Sequence, residues 1–177
     1  MFNVFGFYKF KKLQSLKKKK YLLQKYLIEQ NIRGTIILAK EGVNATIAGK
    51  SLNIRFIVNK IKKTLDIKNF DSENISKCKF QPFHRAKAKI KKEIVPMKLS
   101  LSPNTKNKNN YIEPNKWNNL INDKGTLVLD SRKPFEYDVG TFKKSINPKV
   151  DNFRDFPKYL NKLNKKKSIA MFCTGGI

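Results

Sequence analysis

The sequence predicts two domains in series: a ferredoxin-like α+β domain over residues 1–98 and a parallel α/β domain over residues 113–177, with a linker at 99–112. Three observations predict this. Apolar segments in the first half follow the order β-α-β-β-α-β, the ferredoxin-like arrangement of an antiparallel sheet with two helices on one side. The stretch from Ser102 to Asn110 is almost devoid of apolar residues and reads as a linker. Beyond it, short apolar strands alternate with helical patterns, the grammar of a parallel sheet.

Each element has its own signal. Asn3 to Phe10 is aromatic and β-prone, a first strand. Ser15 is a candidate cap for a helix from Leu16 to about Asn31, with Leu22, Leu23, Tyr26 and Leu27 on one stripe and Lys17 to Lys20 facing water. Thr35 to Ala39 is a buried strand. After the turn Lys40-Glu41-Gly42, Val43, Ala45 and Ile47 alternate with Asn44 and Thr46 as its return. Ser51 is the candidate cap of a second helix, whose Ile54, Ile57, Val58, Ile61 and Leu65 recur at helical spacing. Cys78 to Phe83 and Ala86 to Val95 are both strand-like. In the second half, Pro114 opens a short helix with Trp117, Leu120 and Ile121 on one face. Thr126 to Asp130 is a buried strand, Ser168 to Phe172 is another apolar strand, and Leu160 and Leu163 mark a helix between them.

At 177 residues the chain holds one or two domains and buries enough surface for a true core. It contains no apolar run long enough to cross a bilayer, and Met1 to Lys12 lacks the order of a signal peptide. These features predict a cytoplasmic protein with no membrane partner. Cys78 and Cys173 are too few for a disulfide framework. The balance of 39 Lys+Arg against 13 Asp+Glu gives a net charge of +26, which attracts polyanions, nucleic acid above all. Only Arg33, Arg55, Arg85, Arg132 and Arg154 are arginines, however, and the abundance of Lys, Asn and Ile matches an A+T-rich coding bias. The placement of individual charges therefore weighs more than their total.

The last strand runs directly into Cys173-Thr174-Gly175-Gly176-Ile177. Parallel α/β sheets place ligands at the carboxyl ends of their strands. Small residues there let successive backbone N–H groups point inward as an anion-binding nest, which favours thiolate over thiol. Two covalent chemistries use such a cysteine: sulfur transfer through a persulfide, and phosphate-ester attack through a phosphocysteine. An isolated cysteine in a core strand is also an ordinary packing residue, and the residues alone leave that reading open. Asp130, Arg132 and Glu136 stand after the neighbouring strand, placed either to orient the cysteine loop or simply to hold the strand-to-helix turn by ion pairs; for Glu136 the second reading is preferred. Cys78 reads as a packing residue.

Ala86 to Lys91 alternates strictly, so as a strand it sets Lys87, Lys89 and Lys91 on one face. Such a basic stripe suits a phosphate backbone, with His84 and Arg85 just before it for stacking or charge. Lysines on an edge strand also block sheet-to-sheet aggregation, an equally simple account. His84 is the sole histidine, so neither a two-His-one-carboxylate iron site nor a Cys/His zinc cluster can be assembled from this chain, and no metal site is expected. No dinucleotide-binding or P-loop glycine pattern is present. No cofactor is evident in the sequence.

Several blocks carry a resemblance. Ala39 to Gly49 (AKEGVNATIAG), Pro82-Phe83-His84-Arg85 with the lysine-rich run to Glu93-Ile94-Val95-Pro96-Met97, and Leu129 to Tyr137 (LDSRKPFEY) are three of them. Asn152 to Pro157 (NFRDFP) and Phe172 to Ile177 (FCTGGI) are the others. Together, and collinear over essentially the whole chain, they resemble the rhodanese-domain tRNA uridine(34) hydroxylases. The resemblance implies an N-terminal ferredoxin-like (acylphosphatase-like) domain followed by a rhodanese-like domain. It implies oxygen-dependent 5-hydroxylation of the wobble uridine in tRNA, with molecular oxygen as co-substrate and Cys173 as the active-site cysteine, described as a persulfide. Alternative activities are plain sulfurtransfer from Cys173 and tRNA binding without catalysis. In the family the loop continues through an Arg and a second Cys into a helix, whereas this sequence stops at Ile177. The expectation is therefore a chain truncated within the active-site loop, with an incomplete rhodanese-like domain and no productive thiolate.

Overall fold

A computed structural model describes residues 1–97, 111–164 and 166–174. The chain divides into two compact units, Met1–Val95 and Pro96–Ile177. Of the expected linker at 99–112, only Tyr111 and Ile112 fall within the described residues, and both are exposed.

The first unit runs β1 (Phe2–Phe10), α1 (Leu16–Glu29), β2 (Arg33–Ala39), β3 (Gly42–Gly49), α2 (Ser51–Leu65), β4 (Ser72–Cys78) and β5 (Ala86–Ile90). Its sheet has the order β4-β1-β3-β2-β5. The first four strands pair antiparallel, which is the ferredoxin-like arrangement the sequence predicts. The fifth departs from it: β5 lies parallel to β2, with Ile36 opposite Ala88, so the sheet is mixed.

Period-two alternation sends Phe5, Phe7, Ile36, Leu38, Val43, Ala45 and Ile47 to one face, under Leu23 and Leu27 of α1 and Ile54, Ile57, Ile61 and Leu65 of α2. This is the main core. Gly34 shows why one residue type is required at the start of β2. Its φ is +125°, and a Cβ there would collide with the backbone of Thr46 and Ile47 on β3.

Three local expectations are corrected. The fourth strand is Ser72–Cys78, not Cys78 to Phe83. It is an exposed edge strand held by its ladder to β1, with Tyr8 opposite Ser72 and Phe2 opposite Cys78, so it carries no apolar pattern to read. Neither serine caps through its side chain. Ser15 adopts a left-handed conformation, while Ser51 is already helical and its Oγ accepts from Asn3 Nδ2 at 2.9 Å. The final strand stops at Ile90, well short of Val95. Beyond it Ile94 is buried again, its N–H donating to Glu41 Oε1 at 2.7 Å and its carbonyl accepting from Asn44 Nδ2 at 3.2 Å.

The second unit contains α3 (Pro114–Asn122), β6 (Thr126–Asp130), α4 (Pro134–Val139), a 3-10 turn (Phe153–Asp155), α5 (Phe156–Leu160) and β7 (Ser168–Phe172). β6 and β7 pair in parallel, from Thr126 opposite Ser168 to Asp130 opposite Phe172. Ile146 bridges to Leu129. Val128, Leu129, Phe156 and Ala170 are buried. The helix marked by Leu160 and Leu163 ends at Leu160. Lys162 and Leu163 continue it only as i→i+3 turns onto Tyr159 and Leu160.

The close approach of β2 and β3 at Gly34 yields a test. Gly34→Ala should lower the stability of the first unit by about 2 kcal/mol or more, read by urea denaturation, whereas Thr46→Ala on the exposed side of the same ladder should change it by less than about 1 kcal/mol.

Candidate functional site

The expected active-site cysteine stands immediately after β7, half-buried. The residue before it is clamped. The Phe172 carbonyl accepts the Ser131 N–H at 3.1 Å and the Ser131 hydroxyl at 2.8 Å, tying the end of β7 to the end of β6. The Phe172 ring sits edge-on to Phe142 at 4.9 Å and to Trp117 at 6.0 Å, with the Arg132 guanidinium 5.3 Å above it. The residue after it is tied as well, because Thr174 Oγ1 donates to Glu136 Oε1 at 2.6 Å. Cys173 is thus held from both sides. Gly175 and Gly176, the rest of the expected nest, lie outside the described residues.

Ser131 is positioned by its neighbours. Asp130 is fully buried at the tip of β6. Its carboxylate accepts from the Arg132 N–H at 3.0 Å, from Arg132 Nε at 3.0 and 3.2 Å, from Arg132 Nη2 at 2.7 Å and from Thr141 Oγ1 at 2.8 Å. Arg132 Nη2 also donates to the Gly140 carbonyl at 2.7 Å. Asn147 closes the loop from the other side, its Nδ2 donating to the carbonyls of Asp130 (3.0 Å) and Arg132 (2.8 Å). Burial pushes the Asp130 carboxyl up, but the hydrogen bonds from the Arg132 side chain and N–H and from Thr141 outweigh it, and the group lies below the usual aspartate value. The Arg132 guanidinium is raised in turn by that bond to Asp130.

The basic residues of the first unit divide. Ala86 and Ala88 face the core under α1, so Lys87 and Lys89 occupy the helix-free face of β5. Lys91 lies beyond the strand, its N–H donating to the Leu38 carbonyl at 2.9 Å, so the expected three-lysine stripe has two members. His84 and Arg85 are exposed just ahead of β5. The outward edge of β5 is already occupied: Gln24 of α1 donates to the Ala86 carbonyl at 3.0 Å and accepts the Ala88 N–H at 2.7 Å. One side-chain amide imitates a neighbouring strand. Guarding that edge therefore does not require the lysines.

Among the described residues, no group of His, Cys, Asp and Glu is placed to hold a metal, and no helix is long and apolar enough to cross a membrane. The family model of the UPF0176 acylphosphatase like domain matches residues 2–94, the unit with the ferredoxin-like sheet. The chain belongs to this family. It is 73% identical over all 177 residues to the tRNA uridine(34) hydroxylase of Pelagibacter ubique (strain HTCC1062), and spans 58% of that protein's length. An acylphosphatase from Bacillus subtilis matches 51% of this chain and 98% of its own, at 11% identity and a TM-score of 0.37. An acylphosphatase from Coxiella burnetii matches 51% of this chain and 90% of its own, at 10% identity and a TM-score of 0.34.

In this UPF0176 chain the sequence points to the lesser contact of Glu136 and gives no sign of Ser131 and Asn147. Glu136 does not merely brace the strand-to-helix turn, since it contacts the residue after Cys173. The signal was present: Pro134 at the first helical position with Glu136 two residues later is a helix-start pattern, and Glu136 Oε2 accepts the Lys133 N–H at 3.3 Å. Ser131 and Asn147 act through backbone carbonyls and have no such pattern.

The depressed Asp130 carboxyl fixes a pH dependence. Its stabilisation is complete above the unfolded aspartate value near pH 4 and is lost as pH falls through the lower folded value. Asp130→Asn, which leaves Arg132 without its anion, should cost about 3 kcal/mol at pH 7. The gap to the wild type in thermal melts should narrow steadily below pH 4, and a gap independent of pH would contradict the assignment.

Proposed function

We propose that this protein acts in tRNA modification, hydroxylating C5 of the wobble uridine with molecular oxygen as co-substrate. The observation that carries this reading is the 73% identity, over every residue of the chain, to a protein named tRNA uridine(34) hydroxylase. The blocks around Gly42, Arg85, Asp130 and Cys173 carry the same likeness, and the excess of basic over acidic residues suits a protein that approaches RNA. On this reading the second unit is part of a rhodanese-like domain, tRNA is the macromolecular partner, and the protein works in the cytoplasm.

Cys173 is the residue we assign to the reaction, as the sulfur nucleophile that carries the persulfide. The geometry supports that assignment by holding the cysteine at the carboxyl end of a parallel strand, between the Ser131 clamp on Phe172 and the Glu136 tie on Thr174. Such double anchoring sets a nucleophile's direction before substrate arrives, which is where positioned groups gain most of their rate advantage. Thr174, Gly175 and Gly176 are the accompanying active-site residues in this assignment, and Asp130 and Arg132 are positioning residues that act through Ser131. His84, Arg85, Lys87, Lys89 and Lys91 are the RNA-facing residues of the first unit.

Nucleoside mass spectrometry of bulk tRNA from cells whose gene carries Cys173→Ser provides the test. The mass increment of one oxygen atom on the wobble uridine should vanish, as it should in the gene deletion. An unaltered 5-hydroxyuridine level in both strains would exclude the hydroxylase reading. An unaltered level in the Cys173→Ser strain alone would exclude the role of that sulfur.

A further inference from the structure

A hollow of about 560 Å3 opens on the first unit among Leu16, Lys40, Ile90, Lys91 and Lys92. Its three ammonium groups come from two chain segments, the β2–β3 turn and the residues just past β5. No acidic residue lines it, and no ion pair among the described residues engages Lys40, Lys91 or Lys92. Glu41, next to Lys40 in the chain, accepts the Ile94 N–H at 2.7 Å, and Glu93 follows Lys92; neither lines the hollow. The first turn of α1, which starts at Leu16, also lacks an acidic side chain.

A second hollow, lined by Lys9, Lys11, Asp66, Ile67, Lys68 and Asn69, shows the contrast. There Lys9 is paired with Asp71 at 2.5 Å and Lys11 with Asp66 at 2.7 Å, so two of its three cations are spent within the fold. The Lys40 hollow keeps all three available.

We propose that the Lys40–Lys91–Lys92 hollow is a seat for phosphodiester groups of an RNA strand, a site that deepens the tRNA reading above and rests on it. Three lysines line one hollow and none of them is engaged in an ion pair among the described residues, so an external polyanion that binds there meets unspent positive charge and releases its own condensed cations. Leu16 and Ile90, the latter 39% exposed, line the hollow beside the lysines and can pack against the sugar carbons between phosphates. Lysines act here as point charges, which fits positioning along a backbone rather than reading of bases.

Fluorescence anisotropy of labelled tRNA titrated with the full chain, over a series of salt concentrations, tests the seat. The variant Lys40→Gln/Lys91→Gln/Lys92→Gln should bind about tenfold or more weakly, and the slope of log affinity against log salt should fall by about 2 to 3. Lys50→Gln/Lys63→Gln/Lys68→Gln makes the same change in net charge at exposed positions and should cost under about threefold. Equal losses in both triples would reduce the effect to total charge and overturn the seat. Poly-glutamate binding that matches tRNA and is lost in the same triple would overturn it in favour of an acidic polypeptide. Inorganic phosphate that displaces tRNA far better than chloride at equal ionic strength would make the seat one for the free ion. A wild-type chain that binds no tRNA would remove the reading beneath the proposal, whereas binding retained in the Lys40 triple would remove the seat alone.

Discussion

One buried carboxylate organises the second unit. Asp130 has no solvent access, so its charge is tolerable only because Arg132 and Thr141 fill its oxygens with donors. That demand folds the chain sharply after β6 and brings Arg132 back over the strand end. With the turn fixed, Ser131 presents both its N–H and its hydroxyl to Phe172. The position of Cys173 then follows from a chain of contacts that starts at Asp130, one residue before Ser131, and is read out at Phe172 on β7. Removal of the carboxylate would leave a guanidinium without its anion and loosen the turn on which the clamp depends.

The first unit solves a different problem, how to carry a parallel fifth strand at the rim of an antiparallel sheet. β5 needs an occupied edge, and α1 supplies it with Gln24 rather than with another strand. The consequence reaches function. Because the amide closes the edge, the lysines of this region are not needed as guards against aggregation, and their charge is available at the surface. Lys87 and Lys89 face away from the helices, whereas Lys91 joins Lys40 and Lys92 at the strand's end. A sequence pattern that looks like one stripe is in the fold two separate cationic places.

What was legible in the sequence follows from what each residue's partner is. β2, β3 and β6 announce themselves because half or more of their residues are buried, and burial writes a pattern; β1 and β7 are legible by their aromatic and apolar residues. β4 was misplaced because Ser72–Cys78 is exposed on both faces and is held by backbone pairing to β1, which no side-chain pattern records. Ser15 and Ser51 fit a capping preference that the actual turns override, one by a left-handed backbone and the other by a bond from Asn3. The strand-end placement of Asp130, Arg132 and Cys173 was legible in the order of apolar segments. Ser131 and Asn147 were not, since their work is to bind main-chain carbonyls that only the fold brings near.

The proposed function assigns the held sulfur of the second unit to the reaction and the cationic surface of the first to RNA. The most direct measurement is growth under dioxygen labelled with heavy oxygen, followed by mass spectrometry of the wobble nucleoside from cells with and without the gene. The account predicts that the 5-hydroxyl oxygen carries the label, and that the hydroxylated nucleoside disappears with the gene. Label arriving only from water, or a labelled nucleoside that persists without the gene, would contradict it.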